Sequence, residues 1–328
     1  DNSNDLDDKL SVSSGVTLSA LGDNGNLQLD ATIGNIEAAG SLNLFSTGNI
    51  TLNDTLTTGG LTQIIADSDG SGETDFDPLE SGTFYLASAM KVDTQNSNLN
   101  LKAHDVSLDG NLDIGEGDLL ITNLSGGTIG LGDVDKDLDL SKEELSRISA
   151  TNLQIGDSIS GSITVDNIAE TYSDGVIDLV TLDATKEGSS VTFENQASTF
   201  NSLTVNSNDG ITINSDLITD VGDLTLDGDS NTSANTSDTI EINNASSLIS
   251  ARDVTLDALT GGVLINGNFT VEADRDIRLN DVLNINYELN LLADQNGSGE
   301  GGIYTLGDID SNGHNIALRS ADIDLSNL

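Results

Sequence analysis

One stretch of the chain sets acidic residues at the spacing a calcium loop requires. Asp133, Asp135 and Asp137 fall at positions 1, 3 and 5 of a twelve-residue segment, Ser141 at position 9 and Glu144 at position 12, with Asp139 between them. Alternating hard oxygen donors that end on a Glu are how a short loop surrounds a calcium ion. Leu140 fits the apolar position 8, and a helical pattern follows. Against this, position 6 is Leu138, where the sharp turn calls for Gly, and no helix precedes the segment. The competing reading is a solvated acidic corner. Asp67, Asp69, Asp75 and Asp77 form a second acidic loop, and Asp308-Ile309-Asp310-Ser311-Asn312-Gly313 a third, which meets Arg319 at position 12. Calcium is the one cofactor these residues suggest, with Asp133, Asp135, Asp137, Asp139 and Glu144 as its ligands.

Other chemistry finds less material. The chain has no Cys and two His, so a Ser–His pair has only His104 or His314 as base. His104 lies beside a strand pattern and His314 in a turn, where solvation explains both. Tyr85, Tyr172, Tyr287 and Tyr304 are scattered, there is no Trp, and Arg275 with Arg278 reads as the outward face of one strand. A carbohydrate-active enzyme, lyase or hydrolase, is the alternative to a non-enzymatic protein; it needs a cleft with convergent acids beside sugar-stacking aromatics. No phosphate-cradling glycine loop is present.

Composition narrows the partners. Net charge is −44, from 55 acidic and 11 basic residues. Nucleic-acid binding by counterion release needs Lys and Arg on phosphates, so it is excluded, and docking on anionic membrane is disfavoured. No apolar run is long enough to insert into a membrane. A start at Asp1 fits a processed protein or a segment of a larger chain. An acidic surface keeps an extended protein soluble.

The elements that must position any site come from a repeat. The frame is apolar, any, apolar, Asn or Asp, any, any, Leu. It reads Ile50-Thr51-Leu52-Asn53 with Leu56, Val106-Ser107-Leu108-Asp109 with Leu112, Ile211-Thr212-Ile213-Asn214 with Leu217, and Ile277-Arg278-Leu279-Asn280 with Leu283. Side chains at i and i+2 make a half-buried strand. Asn or Asp then opens a corner, because it bonds nearby backbone and tolerates left-handed geometry, and Leu begins the next inward face. The spacings predict whole numbers of coils of roughly 19–22 residues. A sandwich or barrel also uses short strands, but its strands are not copies of one another.

This predicts an all-β protein: a single β-solenoid over 16–328, after a polar segment at 1–15, in about fifteen coils. A loop insertion is expected at 67–81. A short helical insert is expected at 141–148, with Ser141 and Glu144 as a capping box and Leu145 and Ile148 facing inward. Ile50, Leu52, Leu108, Ile213 and Leu279 are expected in the core.

The stretches GNITLNDTLTTGGLTQIIADSDGSG (48–72) and GTIGLGDVDKDLDLSKEELSRISATNLQIGDSISGSITV (127–165) resemble the β-helical shafts of large secreted adhesins related to filamentous haemagglutinin. The likeness extends loosely from about residue 15 to the end. It implies a right-handed parallel β-helix, export and surface display. The secretion domain of that family carries an Asn-Pro-rich motif; this chain has no Asn-Pro and corresponds to shaft. The expected role is a non-enzymatic structural or adhesive protein, secreted or at the cell surface, in a filament, matrix or biofilm. Its expected partners are further copies end to end or further segments of a larger chain, and a host, neighbouring-cell or matrix surface.

Overall fold

A computed structural model describes residues 9–22, 25–31, 34–71, 82–231 and 238–325. The strands stack in parallel pairs, and among the described residues they are short, mostly three to five residues. The chain forms a parallel β-helix. It divides into two compact units: the first contains 1–130, 135–160 and 175–177; the second contains 131–134, 161–174 and 178–328.

In the first unit three faces turn around a core of stacked aliphatic side chains. One face stacks Ile36 on Leu56, Val92, Leu112 and Ile148. The second stacks Val16, Leu42, Thr62, Leu99, Leu119 and Leu153. The third stacks Leu27, Ile50, Phe84 and Val106. Alternation explains this: a strand such as Leu42–Ser46 buries every second residue and leaves Asn43 and Phe45 partly exposed. Each fully buried Leu or Ile contributes about 1.5–3 kcal/mol. That compensates for the near absence of aromatic volume.

The second unit repeats the plan. Ile163, Val191, Ile211, Ile240, Val263, Leu283 and Ile309 form one column. Leu217, Leu248, Val271, Leu291 and Leu318 form another. Val180, Leu203, Leu224, Val254, Ile277, Ile303 and Ile323 form the third. Ile50, Leu52, Leu108, Ile213 and Leu279 are all buried, as the alternation predicts.

The repeated frame has a different meaning from the one its spacing suggests. Ile50 and Val106 do share a column. Ile211 and Ile277 do not: they stand on different faces of the second unit. The frame is a corner signature, used at more than one corner of the coil. Coils are also longer than predicted where corners carry insertions; Leu56 pairs with Val92, and Ile211 with Ile240.

Polar ladders hold the corners. Asn266 Nδ2 donates to Asn243 Oδ1 at 3.2 Å, Asn286 to Asn266 at 3.1 Å and Asn312 to Asn286 at 3.3 Å. Elsewhere Asp223 Oδ1 accepts the Asp253 N–H at 3.1 Å, Asp253 that of Asp276 at 3.1 Å, and Asp276 that of Gly302 at 2.9 Å. Side chains thus take the N–H groups that the turning backbone cannot pair.

The expected helix is present: α1 is Lys142–Leu145, with Ser141 as N-cap, a complete capping box with Glu144, and Leu145 buried. Ile148 is buried at the start of the next strand. A second one-turn helix, α2 (Glu170–Ser173), was not anticipated; its N-cap is Ala169, which makes no capping bond, so it carries no sequence signature. Within the segment expected to be polar, Leu10–Val12 pairs with Ile36–Ala38. Of the loop expected at 67–81, residues 72–81, with Asp75, Asp77 and the only proline, lie outside the described residues.

Candidate metal centre

The five residues nominated for calcium are not arranged as a loop around one point. Leu138–Leu140 is a strand with both leucines buried, so the chain runs extended where a calcium loop must turn. A Leu in place of Gly is the physical reason: its side chain gains more by entering the core. Asp137 Oδ2 accepts the Thr128 N–H and hydroxyl, both at 2.7 Å. Burial raises the Asp137 carboxyl, but these bonds and His104 outweigh it and hold it below the usual carboxylate range. Asp133 Oδ2 accepts from Asn167 Nδ2 at 2.5 Å. Glu144 Oε2 accepts the Ser141 N–H at 2.9 Å, and its Oε1 the Leu108 N–H at 2.8 Å. Asp135 is exposed.

Asp139 faces outward between the two leucines, and its N–H donates to Asp105 Oδ1 at 3.2 Å. Burial, then Glu144 and Asp135, push the Asp139 carboxyl up. Burial pushes Asp105 further, to about 7, with Asp139 and Glu144 adding to it against two backbone N–H bonds. The acidic stretch therefore supplies edge contacts for the first unit, and its carboxylates help push Asp105, on the neighbouring strand, up to about 7.

A different trio converges. Glu170, Asp174 and Asp220 place carboxylate oxygens within 4.8 Å of one another, the one such group among the described residues. Glu170 and Asp174 lie four residues apart across α2, on one side of the turn. Asp220 follows the strand Leu217–Thr219. Two contacts bring these elements together: the Thr199 N–H donates to the Ile168 carbonyl at 2.7 Å, and Ser173 Oγ donates to the Thr199 carbonyl at 2.8 Å. Thr199 in turn pairs with Ile218 in the next coil. Burial raises the Asp220 carboxyl, its own backbone N–H lowers it, Asp174 raises it again and Glu170 lowers it; the net is upward. All three residues are exposed. The trio could hold a metal ion with three protein oxygens and the other positions open to water. Its sequence signal was a Glu and an Asp at helical spacing, with no pattern linking them to Asp220.

The remaining candidates stay apart from it. Asp67 is buried and left-handed (φ 54°), and its Oδ1 accepts from Ser71 Oγ at 3.3 Å. Asp69 Oδ1 accepts the Ser71 N–H at 3.3 Å, so these acids build their own turn. Asp310 Oδ1 accepts the Asn312 N–H at 3.0 Å in another such turn. His104 is not merely solvated: its Nδ1 lies 2.9 Å from Ser125 Oγ. That hydroxyl sits 2.8 Å from Asn123 Oδ1 and donates to it, which also accepts the Gly127 N–H at 3.0 Å. The serine proton is thus directed to Asn123 rather than to the ring. His314 stacks on Tyr287 with ring centroids 6.1 Å apart. Arg278 lies over Tyr304 at 5.9 Å and pairs with Asp253 and Asp276. Burial raises the Asp253 carboxyl, but the Asp276 N–H and Arg278 outweigh it and hold it low.

Compared with known proteins, the chain matches no family model, no curated protein and no solved structure.

Proposed function

We propose that this chain is a non-enzymatic structural or adhesive protein of the cell exterior, the shaft of a surface adhesin or a subunit of a surface filament. The observation that carries the reading is the coil itself: parallel three-faced stacking with an apolar interior and Thr, Ser, Asn and Asp turned outward. Such a coil spends its sequence on repetition, and −44 of net charge keeps its sides apart. Kinship with the filamentous-haemagglutinin type of adhesin belongs to this proposal and rests on the stretches 48–72 and 127–165. Calcium at Glu170, Asp174 and Asp220 is the metal the reading assigns. Three carboxylates with neighbouring water suit a hard cation in a calcium-rich exterior. End-to-end contact with further copies or further chain, and attachment to a cell or matrix surface, complete the reading.

The carbohydrate-active alternative needs convergent acids beside aromatics. A recess in the first unit is lined by Ser11, Glu37, Ala38, Thr57, Gly59 and Gln95 among others, with one carboxylate and no ring. The test is to apply the purified chain to cell- and matrix-coated surfaces and, in parallel, to a panel of acidic and neutral polysaccharides. Retention on a surface without release of reducing ends is expected. Reducing ends released by the chain would replace this reading with the enzymatic one.

A further inference from the structure

A change in corner length leaves a recess on the outside of the first unit. Leu10–Val12, Ile36–Ala38 and Leu56–Thr58 lie side by side, with Ser11, Glu37 and Thr57 in register on the outward face. Each strand then turns a tight corner onto the next face, where Val16, Leu42 and Thr62 are again in register. The corner of the following coil is one residue longer. Thr57 and Thr62 enclose 58–61, whereas their partners Asp93 and Leu99 enclose 94–98. The longer corner carries exposed Gln95 out beside the shorter ones, which are built from small residues such as Ala39 and Gly59. The space so formed is about 400 Å³, within the range of small-molecule sites. Ser11, Glu37, Thr57 and Gln95 all line it.

The wall that Gln95 forms is held in an unfavourable backbone conformation. Gln95 (φ 50°) and Asn96 (φ 68°) are consecutive left-handed residues, where Gly would turn freely. Side chains pin them there. Asp93 Oδ1 accepts the Gln95 N–H at 3.0 Å, and Asn96 Oδ1 accepts the Glu116 N–H at 3.0 Å. Thr94 Oγ1 closes the turn by donating to the Ser97 carbonyl. Strain over-determined in this way collects at ligand clamps.

The lining selects the ligand. Glu37 is its one carboxylate and is paired with Lys9. On the same outward face Lys91 pairs with Asp93 at 2.7 Å and Asp113 at 3.3 Å. In a chain of net charge −44, this face is largely compensated. It neither attracts an anion nor offers a cation the several carboxylates it needs. Two hydroxyls, an amide and a carboxylate present donors and acceptors in turn, which an apolar ligand would strand. A peptide adding as a strand needs a sheet edge, but the recess lies over the faces of three paired strands. A neutral sugar ring fits these terms: hydroxyls for the polar rim, and a C–H face for the small residues between.

We infer that this recess binds a single uncharged pyranose, with Gln95, Thr57, Ser11 and Glu37 as its hydrogen-bonding partners. One carboxylate can hold a sugar but does not make the acid pair of a hydrolase. The inference stands on the recess and does not depend on the surface role proposed above.

The test uses the full chain with the methyl glycosides of glucose, galactose and mannose as probes, read by saturation-transfer NMR and titration. At least one should bind with Kd on the order of 1 mM, the scale open to a ligand of about a dozen heavy atoms. Thr57→Val keeps the shape and removes a hydroxyl; Gln95→Gly removes the amide. Each should weaken binding roughly tenfold. Gln95→Gly should also melt no lower than wild type, because Gly adopts the left-handed turn without strain. Glucuronate should bind no more tightly than methyl glucoside. The inference is overturned if none of the three glycosides binds, if glucuronate binds more tightly than all of them, or if both variants bind as wild type does. Should Thr57→Val fail to fold, Gln95→Gly decides alone.

Discussion

Glu144 Oε1 accepts the Leu108 backbone N–H at 2.8 Å, 36 residues away in the chain. Leu108 ends the last strand of its hydrogen-bonded sheet, Asp105–Leu108, against which the strand Leu138–Leu140 packs. Arg147 Nη1 donates to the Leu108 carbonyl, so the helical insert supplies both an acceptor and a donor to one edge residue. At the other end of the strand the Asp139 N–H donates to the Asp105 carboxylate. The insert that carries the acidic stretch is thus an edge closure, the device sheets use to avoid an open row of backbone groups.

Removing that closure should be costly. Glu144→Ala leaves the Leu108 N–H without its acceptor and also breaks the capping box of α1. The expected loss is about 2–4 kcal/mol, the sum of an unmet buried donor and a lost cap. Glu144→Gln keeps one acceptor and should lose less. Denaturant unfolding of the two variants measures the order; equal stability to wild type in both contradicts the edge role.

Asp105 should make the first unit respond to pH in the reverse of the usual sense. Its folded carboxyl titrates near 7, above its unfolded value. Between roughly pH 4 and 7 the folded state therefore holds more proton than the unfolded state, and stability falls as pH rises through that window. Asp105→Asn keeps an acceptor for the Asp139 N–H without the charge. It should stabilise at pH 7.5 by on the order of 2–4 kcal/mol and flatten the slope. A variant no more stable than wild type at pH 7.5 contradicts the assignment.

Leu279 is 1% exposed and stacks between Leu256 and Thr305 in the core column. Leu279→Ala should cost about 2–5 kcal/mol by leaving a cavity. Leu279→Asp should cost more, because a buried charge there has no partner. Thermal melts of both rank them; a Leu279→Asp protein that melts like wild type shows the side chain faces outward.

The exposed trio should bind calcium weakly. Asp174→Asn removes one of three carboxylates and should lower affinity by about tenfold, with melting temperature in chelator unchanged. Titration calorimetry measures it. Unaltered binding would remove calcium from this site.

Strand, core and helix were legible because each follows from a local rule. Alternation placed Ile50, Leu108 and Ile213 inside, and Ser141 with Glu144 marked a helix start. Which face a strand occupies was not legible. Ile211 and Ile277 carry the same frame on different faces, because corner insertions shift the phase and no local residue records it. The acidic stretch misled for a related reason. Its order fitted a calcium loop, but Leu138 and Leu140 were read as loop positions, whereas the coil takes them as core. Glu170, Asp174 and Asp220 meet only through α2 and Thr199, a contact made by folding.

The central claim is that this β-helix works outside the cell. The most direct measurement is labelling of intact, unpermeabilised producing cells with antibody to the chain, seen by immunogold electron microscopy. The account predicts label on the outer surface or on extracellular material, stripped by protease added outside. Label confined to the interior, appearing only after permeabilisation and untouched by external protease, would contradict it.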